Sequence, residues 1–224
     1  MSINAKQCLT HGAMISRNEY RCLRYNSQVV GLENCSVVVV SNGVIRRLRA
    51  LDDGIINPKK LNLFQGKVDR TNHVLYFIDG CYHDMRWGGN VQYEDKKAGN
   101  IQEGVFLRAS LTYRIDRGER FLPLLSETRK TYDDKFVEGK IRGKIDNTIK
   151  QCVLRSLLKK GFIGTQACVK DLAHEIQDEL NEEVLASYGV SLLDFCLYLE
   201  EDNGHAARRN RFEWQRFEAK KGEY

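Results

Sequence analysis

Residues 105–115 read VFLRASLTYRI, and their alternation does not break. Val105, Leu107, Ala109, Leu111, Tyr113 and Ile115 fall on one side; Phe106, Arg108, Ser110, Thr112 and Arg114 fall on the other. Period two over this length predicts a strand with one buried face and one partly solvated face. Upstream, the chain reads as short strands and turns. Downstream, the period changes, two amphipathic helices follow, and the patterned part closes with a second strand at residues 190–199. That strand is expected to return beside the first. Residues 105–115 are therefore the seam between a β half and an α/β half.

Just past the seam, residues 119–125 suit a short helix interrupted early by Pro123. Residues 133–160 then place Val137, Ile141, Ile145, Ile149 and Val153 four apart. At roughly 3.6 residues per turn such a row drifts by about 40° a step. Cys152, Leu154, Leu157 and Leu158 broaden the face at its end, as expected for a helix packed on a sheet. Gly161 and Gly164 are expected to stop it. Thr165 is the expected N-cap of the next helix, residues 166–188. Val169, Leu172, Ala173, Ile176, Leu180 and Val184 form its apolar stripe, with Asp171, Glu175, Asp178, Glu179, Glu182 and Glu183 mostly opposite. Gly189 follows as the left-handed closing residue. In the last strand Leu193, Phe195, Leu197 and Leu199 are expected to alternate with Asp194, Cys196, Tyr198 and Glu200.

Upstream of the seam, residues 1–19 show no period and read as a loosely held arm. Residues 20–25 (YRCLRY) and 27–32 (SQVVGL) read as short strands, and residues 35–40 (CSVVVV) are the most β-branched stretch in the chain. Asn42-Gly43 predicts a tight hairpin with its return arm over residues 44–51, VIRRLRAL. Asp52-Asp53-Gly54 is a turn, and residues 61–68 are weakly strand-like. Residues 73–79 (HVLYFID) are a strand; Gly80 turns the chain into residues 82–87, and Gly88-Gly89 is expected to break the pattern. Residues 98–104 are read as the entry loop to the seam.

The bulk composition excludes several classes. Hydrophobic residues make up 42% and aromatic residues 9%, enough for a core, and only two prolines with no low-complexity run argue against disorder. The net charge of +5 comes from 35 basic and 30 acidic side chains, a mixed surface rather than the clustered excess of a dedicated nucleic-acid binder. The seven cysteines are odd in number and form no C-x-x-C pair, which fits a reduced, cytoplasmic chain. No secretory signal is visible. The longest unbroken aliphatic run is Val37, Val38, Val39 and Val40, against the roughly 20 residues a spanning helix needs.

The patterns that carry chemistry are weak. Gly139-Lys140-Ile141-Arg142-Gly143-Lys144 has one residue too few between its glycines for a phosphate loop and lies inside a helical pattern, so it reads as a basic helix face. Cys81 with His83, and Cys8 with His11, each lack the second pair that a zinc site requires. No G-x-S-x-G elbow is present. The sequence therefore points to no catalytic residue, no metal and no cofactor.

Two basic features remain. Arg46, Arg47 and Arg49 lie on the hairpin's return arm, where they either bind lipid phosphate or partner carboxylates, or protect an edge strand by charge. Residues 205–221 read as the beginning of a charged helix, and the terminal segment HAARRNRFEWQRFEAKKGEY holds six Lys/Arg against three Glu. Arg208 and Arg209 precede Trp214 and Phe217, which lie three apart on one helical side. Such a helix either lies on a membrane or a neighbouring subunit, or packs on its own domain.

The order of these elements resembles the SPFH (Band-7) superfamily of stomatin, prohibitin and flotillin. VFLRASLTYRID, the isoleucine-rich VEGKIRGKIDNTIKQCVLRSLL, and EEVLASYGVSLLDFCLYLEED carry the match. Tyr188-Gly189-Val190 resembles the family's helix ending in Tyr-Gly-Val that leads straight into a closing strand. Ser27-Gln28-Val29-Val30 through Ser41-Asn42-Gly43 is similar to the opening hairpin of the virion-core-protein-like branch. Val74-Leu75-Tyr76-Phe77-Ile78, then Met85-Arg86-Trp87-Gly88, is similar to its V-x-F and K-W-G segments, with Gly89 where that branch often has Thr.

The expected fold is α+β. An arm (1–19) precedes an N-terminal antiparallel β-rich subdomain (20–103), an α/β SPFH-like subdomain with helices packed on a small sheet (104–203), and a C-terminal helix (204–224). The resemblance implies a non-enzymatic scaffold without a cofactor. It would form a homo-oligomer, associate peripherally with an anionic membrane surface, and organise partner proteins there. The alternative is a soluble adaptor or nucleic-acid-associated module using the same basic patches.

Overall fold

The structure, a computed structural model, describes residues 2–4, 9, 13–20, 28–30, 34–41, 43–48, 55–56, 73–95, 101–126 and 128–202. The fold is α+β. Its strands, among the described residues, are β1 (Ser2–Asn4), β2 (Ala13–Tyr20), β3 (Gln28–Val30), β4 (Cys35–Ser41), β5 (Val44–Leu48), β6 (Ile55–Ile56), β7 (His73–Asp79), β8 (His83–Asp95), β9 (Ile101–Ile115), β10 (Thr131–Asp133) and β11 (Val190–Glu201). The helices are α1 (Gly118–Phe121), α2 (Asp134–Ala167) and α3 (Val169–Glu179). Two compact units are built from interleaved stretches of chain. One takes Met1–His83, Tyr113–Arg142 and Leu185–Ser191; the other takes Asp84–Thr112, Gly143–Val184 and Leu192–Tyr224.

The first unit is organised on a five-stranded antiparallel sheet in the order β10-β2-β7-β4-β5. Its middle is sealed from both sides. Val37, Val38 and Val39 are consecutive in β4 yet all at most 1% exposed, and Leu75, Phe77 and Ile78 of β7 are fully buried. A β-branched run suits such a strand because branched side chains pack well on a pleated surface. Helix α1 lies over one face: Gly118 sits against Ile78 and Val38, leaving no room for a side chain at that position. A smaller sheet in the order β1-β3-β6 completes the described part of this unit.

The second unit contains most of a three-stranded sheet in the order β11-β9-β8. β9 is its central strand, and Val105, Leu107, Ala109 and Leu111 are buried there, as are Tyr113 and Ile115 at its far end in the first unit. The expected neighbour is in place: β11 lies beside β9, and the Asp202 N–H donates to the Gly104 carbonyl at 3.1 Å. From α2, Ile145, Ile149, Val153 and Leu157 supply buried aliphatic bulk. Glu179 at the end of α3 is bound by Arg155 of α2 at 2.8 Å, and the Gln177 amide donates to the Leu193 carbonyl of β11 at 3.0 Å. These bonds tie both helices and the closing strand together.

Several expectations differ from the structure. The arm expected over residues 1–19 contains β2, whose Met14, Ile15 and Ser16 are all at most 3% exposed. Three consecutive buried residues erase the period that would have announced a strand. The strand after Gly80 runs through Gly88-Gly89 instead of breaking there. The Trp87 ring and the Lys150 stem occupy the place where a side chain on residue 89 would sit, so the glycine makes room for an indole. The entry loop expected over residues 98–104 is already strand from Ile101 onward; the three residues before it lie outside the described residues. Gly161, at φ 72° and outside helical geometry, interrupts the long helix where it was expected to stop; what was not expected is the further helical stretch that follows it to Ala167.

Thr165 is therefore no N-cap; it is fully buried inside the helix, 3.1 Å from the Ser156 hydroxyl. The next helix ends earlier than expected, at Glu179, and continues as a π-helical turn (Leu180–Leu185) and a 3-10 turn (Ala186–Tyr188) before Gly189 at φ 70°. In β11 the alternation slips. Val190, Leu192, Phe195 and Leu197 are buried while Leu193 is 58% exposed, because Leu193 and Asp194 both face outward where the helix side chains bind the strand backbone. Of the strand expected over residues 20–25 only Tyr20 is described, as the last residue of β2; the strand at residues 61–68, the turn at residues 52–54 and the helix at residues 205–221 lie outside the described residues.

Candidate functional site

The hairpin β4–β5 is an exposed apolar-basic feature, among the described residues, that the sequence singled out. Gly43, at φ 78°, closes it, and the register pairs Ser41 with Val44, Val40 with Ile45, Val39 with Arg46, and Val38 with Arg47. Paired residues project to the same face of a sheet. Arg47 and Ile45 therefore share the face of Val38, over which α1 packs, while Arg46 and Val44 share the face of Val39. β4 is sealed on both faces, but β5 is the edge strand, and Val44, Ile45, Arg46 and Arg47 are all exposed. Val44 and Ile45 are 52% and 43% exposed.

The edge thus offers one aliphatic and one guanidinium group on each face. Guanidinium groups donate in a planar fork to phosphate or carboxylate oxygens. Short aliphatic side chains beside them suit the boundary between headgroup and acyl chain. Of the residues that sequence reading placed in a contact surface, Arg46 and Arg47 are on this edge. Arg49, Arg208, Arg209, Trp214 and Phe217 lie outside the described residues. The contribution of Val44 and Ile45 was not foreseen: at the sequence level they read as ordinary strand residues, and only their edge position exposes them.

The titratable groups elsewhere are arranged for structure. Cys152 is buried, donates to Glu179 at 3.2 Å and accepts from Arg155 at 3.0 Å. Burial raises its thiol to about 11; the Arg155 hydrogen bond opposes this and the Glu179 carboxylate reinforces it. A thiol held protonated is a poor nucleophile. Asp79 accepts the Cys81 backbone N–H at 2.9 Å, and its carboxylate, with a smaller contribution from burial, also raises the Cys81 thiol. His83 stands between two carboxylates, 3.8 Å from Asp79 and 3.3 Å from Asp134, with its ring 5.9 Å from that of Tyr113. Burial, then Glu138 and Asp134, hold the Tyr113 phenol well above its ordinary range. This cluster joins the end of β7 to the start of α2, a pairing across 55 residues that no local spacing announces.

The glycines of the phosphate-loop-like run, Gly139 and Gly143, lie within α2 with open space around them. They form part of a helix surface, not a loop that could wrap an anion. Among the described residues, no group of three or more His, Cys, Asp or Glu could hold a metal ion. Among the same residues, no helix is long and apolar enough to cross a membrane. No protein-family model matches the chain, and no curated protein matches it by sequence.

Proposed function

We propose that this chain is a non-enzymatic scaffold of the SPFH type, one that self-associates and touches an anionic membrane surface peripherally, where it organises partner proteins. The observation that carries the proposal is the β5 edge, where exposed Val44 and Ile45 stand beside exposed Arg46 and Arg47. The sequence resemblance along about residues 20–203, carried mostly by its α/β half, supports the family reading. Self-association is supported by Leu158 and Ile163 of α2, which are 58% and 66% exposed.

Magnitudes link the two halves of the proposal. A basic residue near an anionic leaflet contributes about 1 kcal/mol, so two arginines give about 2 kcal/mol, roughly thirty-fold in binding constant. One copy attached that way dissociates readily. Several copies assembled side by side multiply the contact without any new chemistry. Membrane attachment is therefore expected to rise steeply with protein concentration and to weaken as salt screens the charges.

The test is co-sedimentation with phosphatidylserine-containing vesicles at low and high salt, with light scattering over the micromolar range. Binding that grows with protein concentration and fades with salt is the expected result. No bound protein at low salt would remove the membrane reading, and a single 25.8 kDa species throughout would remove the assembly.

A further inference from the structure

In β11 the buried side chains are Val190 and Leu192 and, past the outward slip, Phe195 and Leu197. Along a strand the backbone N–H and C=O of one residue point to one edge and those of the next to the other, in step with the alternation of side chains. The Leu192 N–H donates to Asn181 Oδ1 at 2.7 Å, and the Leu192 C=O accepts from Asn181 Nδ2 at 3.1 Å. Residues whose side chains turn inward therefore direct their backbone away from β9. With the slip counted, Asp202 belongs to the other set, and its N–H goes to Gly104 of β9. Phe195 and Leu197 thus present their backbone groups to the edge that, among the described residues, carries no strand.

Side chains from the helix side close part of this edge. Asn181, Gln177, Ala173 and Val169 follow one another every four residues, a helical step of about 6 Å against about 6.6 Å for two residues of strand. The two amides bind the backbone at Leu192 and Leu193. Ala173 ends in a methyl group and can bind no backbone, and there the edge opens into a groove of about 390 Å³. The strand lines it with residues 194–198 without a gap, taken from both faces, so the groove runs along the edge itself. Ala173, Phe195 and Leu197, each at most 8% exposed, give it apolar walls. Its one carboxylate is engaged, since Asp194 Oδ1 accepts the Phe195 N–H at 3.0 Å. Lys170 and His174, one turn apart on α3, are exposed, and their side chains hold no hydrogen bond or ion pair among the described residues. The groove therefore asks for three things together: backbone groups at strand spacing, a large apolar side chain, and an acceptor of negative charge.

We propose that this edge takes an extended peptide segment of a partner protein as an added strand, with a large apolar side chain against Ala173, Phe195 and Leu197 and a carboxylate at Lys170 and His174. The open stretch of five residues is about 17 Å long, which fits a short segment. The full β11 of a second copy would run into the Asn181 and Gln177 side chains. The inference goes beyond the scaffold reading: it needs neither vesicles nor assembly, and either can fail while this site stands.

Amide exchange of the full-length chain, read by NMR, tests the edge. Without peptide, the Leu197 N–H is expected to exchange far faster than those of Cys196 and Tyr198, which face β9. A displayed random-peptide library selected on the chain is expected to yield binders that share a large apolar residue with Asp or Glu close by. A synthetic copy of an enriched peptide, added at about a hundred times its Kd, is expected to slow Leu197 exchange roughly a hundred-fold, because exchange then proceeds through the unoccupied fraction. Lys170→Glu/His174→Glu is expected to weaken its binding about ten-fold, with the thermal midpoint unchanged, as two surface attractions become repulsions. A Leu197 amide already protected in the free chain overturns the proposal, because the edge is then covered by the chain itself. Protection that appears only on concentrating the protein assigns the edge to a second copy and overturns it too. So do a library that yields no binder, an enriched peptide that leaves Leu197 exchange unchanged, and equal affinity in the charge-reversed variant.

Discussion

Cys152 shows how a single side chain can be reactive by type and inert by placement. In solution a thiol ionises near pH 9; here burial, with Glu179 beside it, outweighs the Arg155 hydrogen bond and raises it to about 11. Below pH 9 the thiol is protonated in both the folded and the unfolded chain, and its contribution to stability is constant. Between pH 9 and 11 the unfolded chain releases the proton while the folded one retains it, so stability falls as pH rises through this window. The expected result is a denaturation midpoint that drops more steeply from pH 9 to 11 in the wild type than in Cys152→Ala. Equal slopes would show that the thiol is not shifted. The cysteine's apolar setting was legible in the isoleucine-rich helix pattern. Its partner Glu179 was not, since it was read as part of a solvated acidic face on the next helix.

At the scale of an element, α2 combines a well-buried face with weak points on its surface. Val137, Ile141, Ile145 and Ile149 are fully buried, so the four-residue spacing identified the packed side correctly. Truncating Ile149 to Ala is expected to cost about 2–5 kcal/mol, through lost transfer energy and the cavity left behind. Gly139 and Gly143 have nothing within 4 Å of an added Cβ. Replacing either with Ala is expected to stabilise the protein by about 0.5–1 kcal/mol, by restricting the unfolded backbone. In thermal melts of a chain this size each kcal/mol corresponds to roughly 2–4 °C. A fall in midpoint for Gly139→Ala would mean that this surface is covered. The break at Gly161 falls where the sequence placed it, because a residue at positive φ cannot continue the helical backbone; the helical stretch beyond it, with Phe162 and Thr165 buried, was not foreseen.

For the whole molecule, the β4–β5 edge is the proposed point of membrane contact. Reversing the charge at Arg46 and Arg47 together is expected to abolish vesicle binding at low salt while leaving the unfolding midpoint nearly unchanged, because both side chains are exposed. If binding survives the double reversal, the contact lies elsewhere on the chain. The organisation into two units was not visible as a linear division of the sequence. β9 and α2 each contribute residues to both, so a strand and a helix that read as continuous patterns pass from one unit to the other.

What could be read before any coordinates was whatever repeats at short range. The faultless alternation of residues 105–115, the valine run closed by Asn42-Gly43, the isoleucine row and the left-handed Gly189 each report a local backbone geometry through the spacing of neighbouring residues. The pairing of β2 with β7, the indole of Trp87 over Gly89, the burial of Thr165, the outward slip at Leu193 and the groove beside β11 came only with the folded chain. Each depends on which distant segment packs against a given residue, and a contact of that kind leaves no period in the sequence on either side of it.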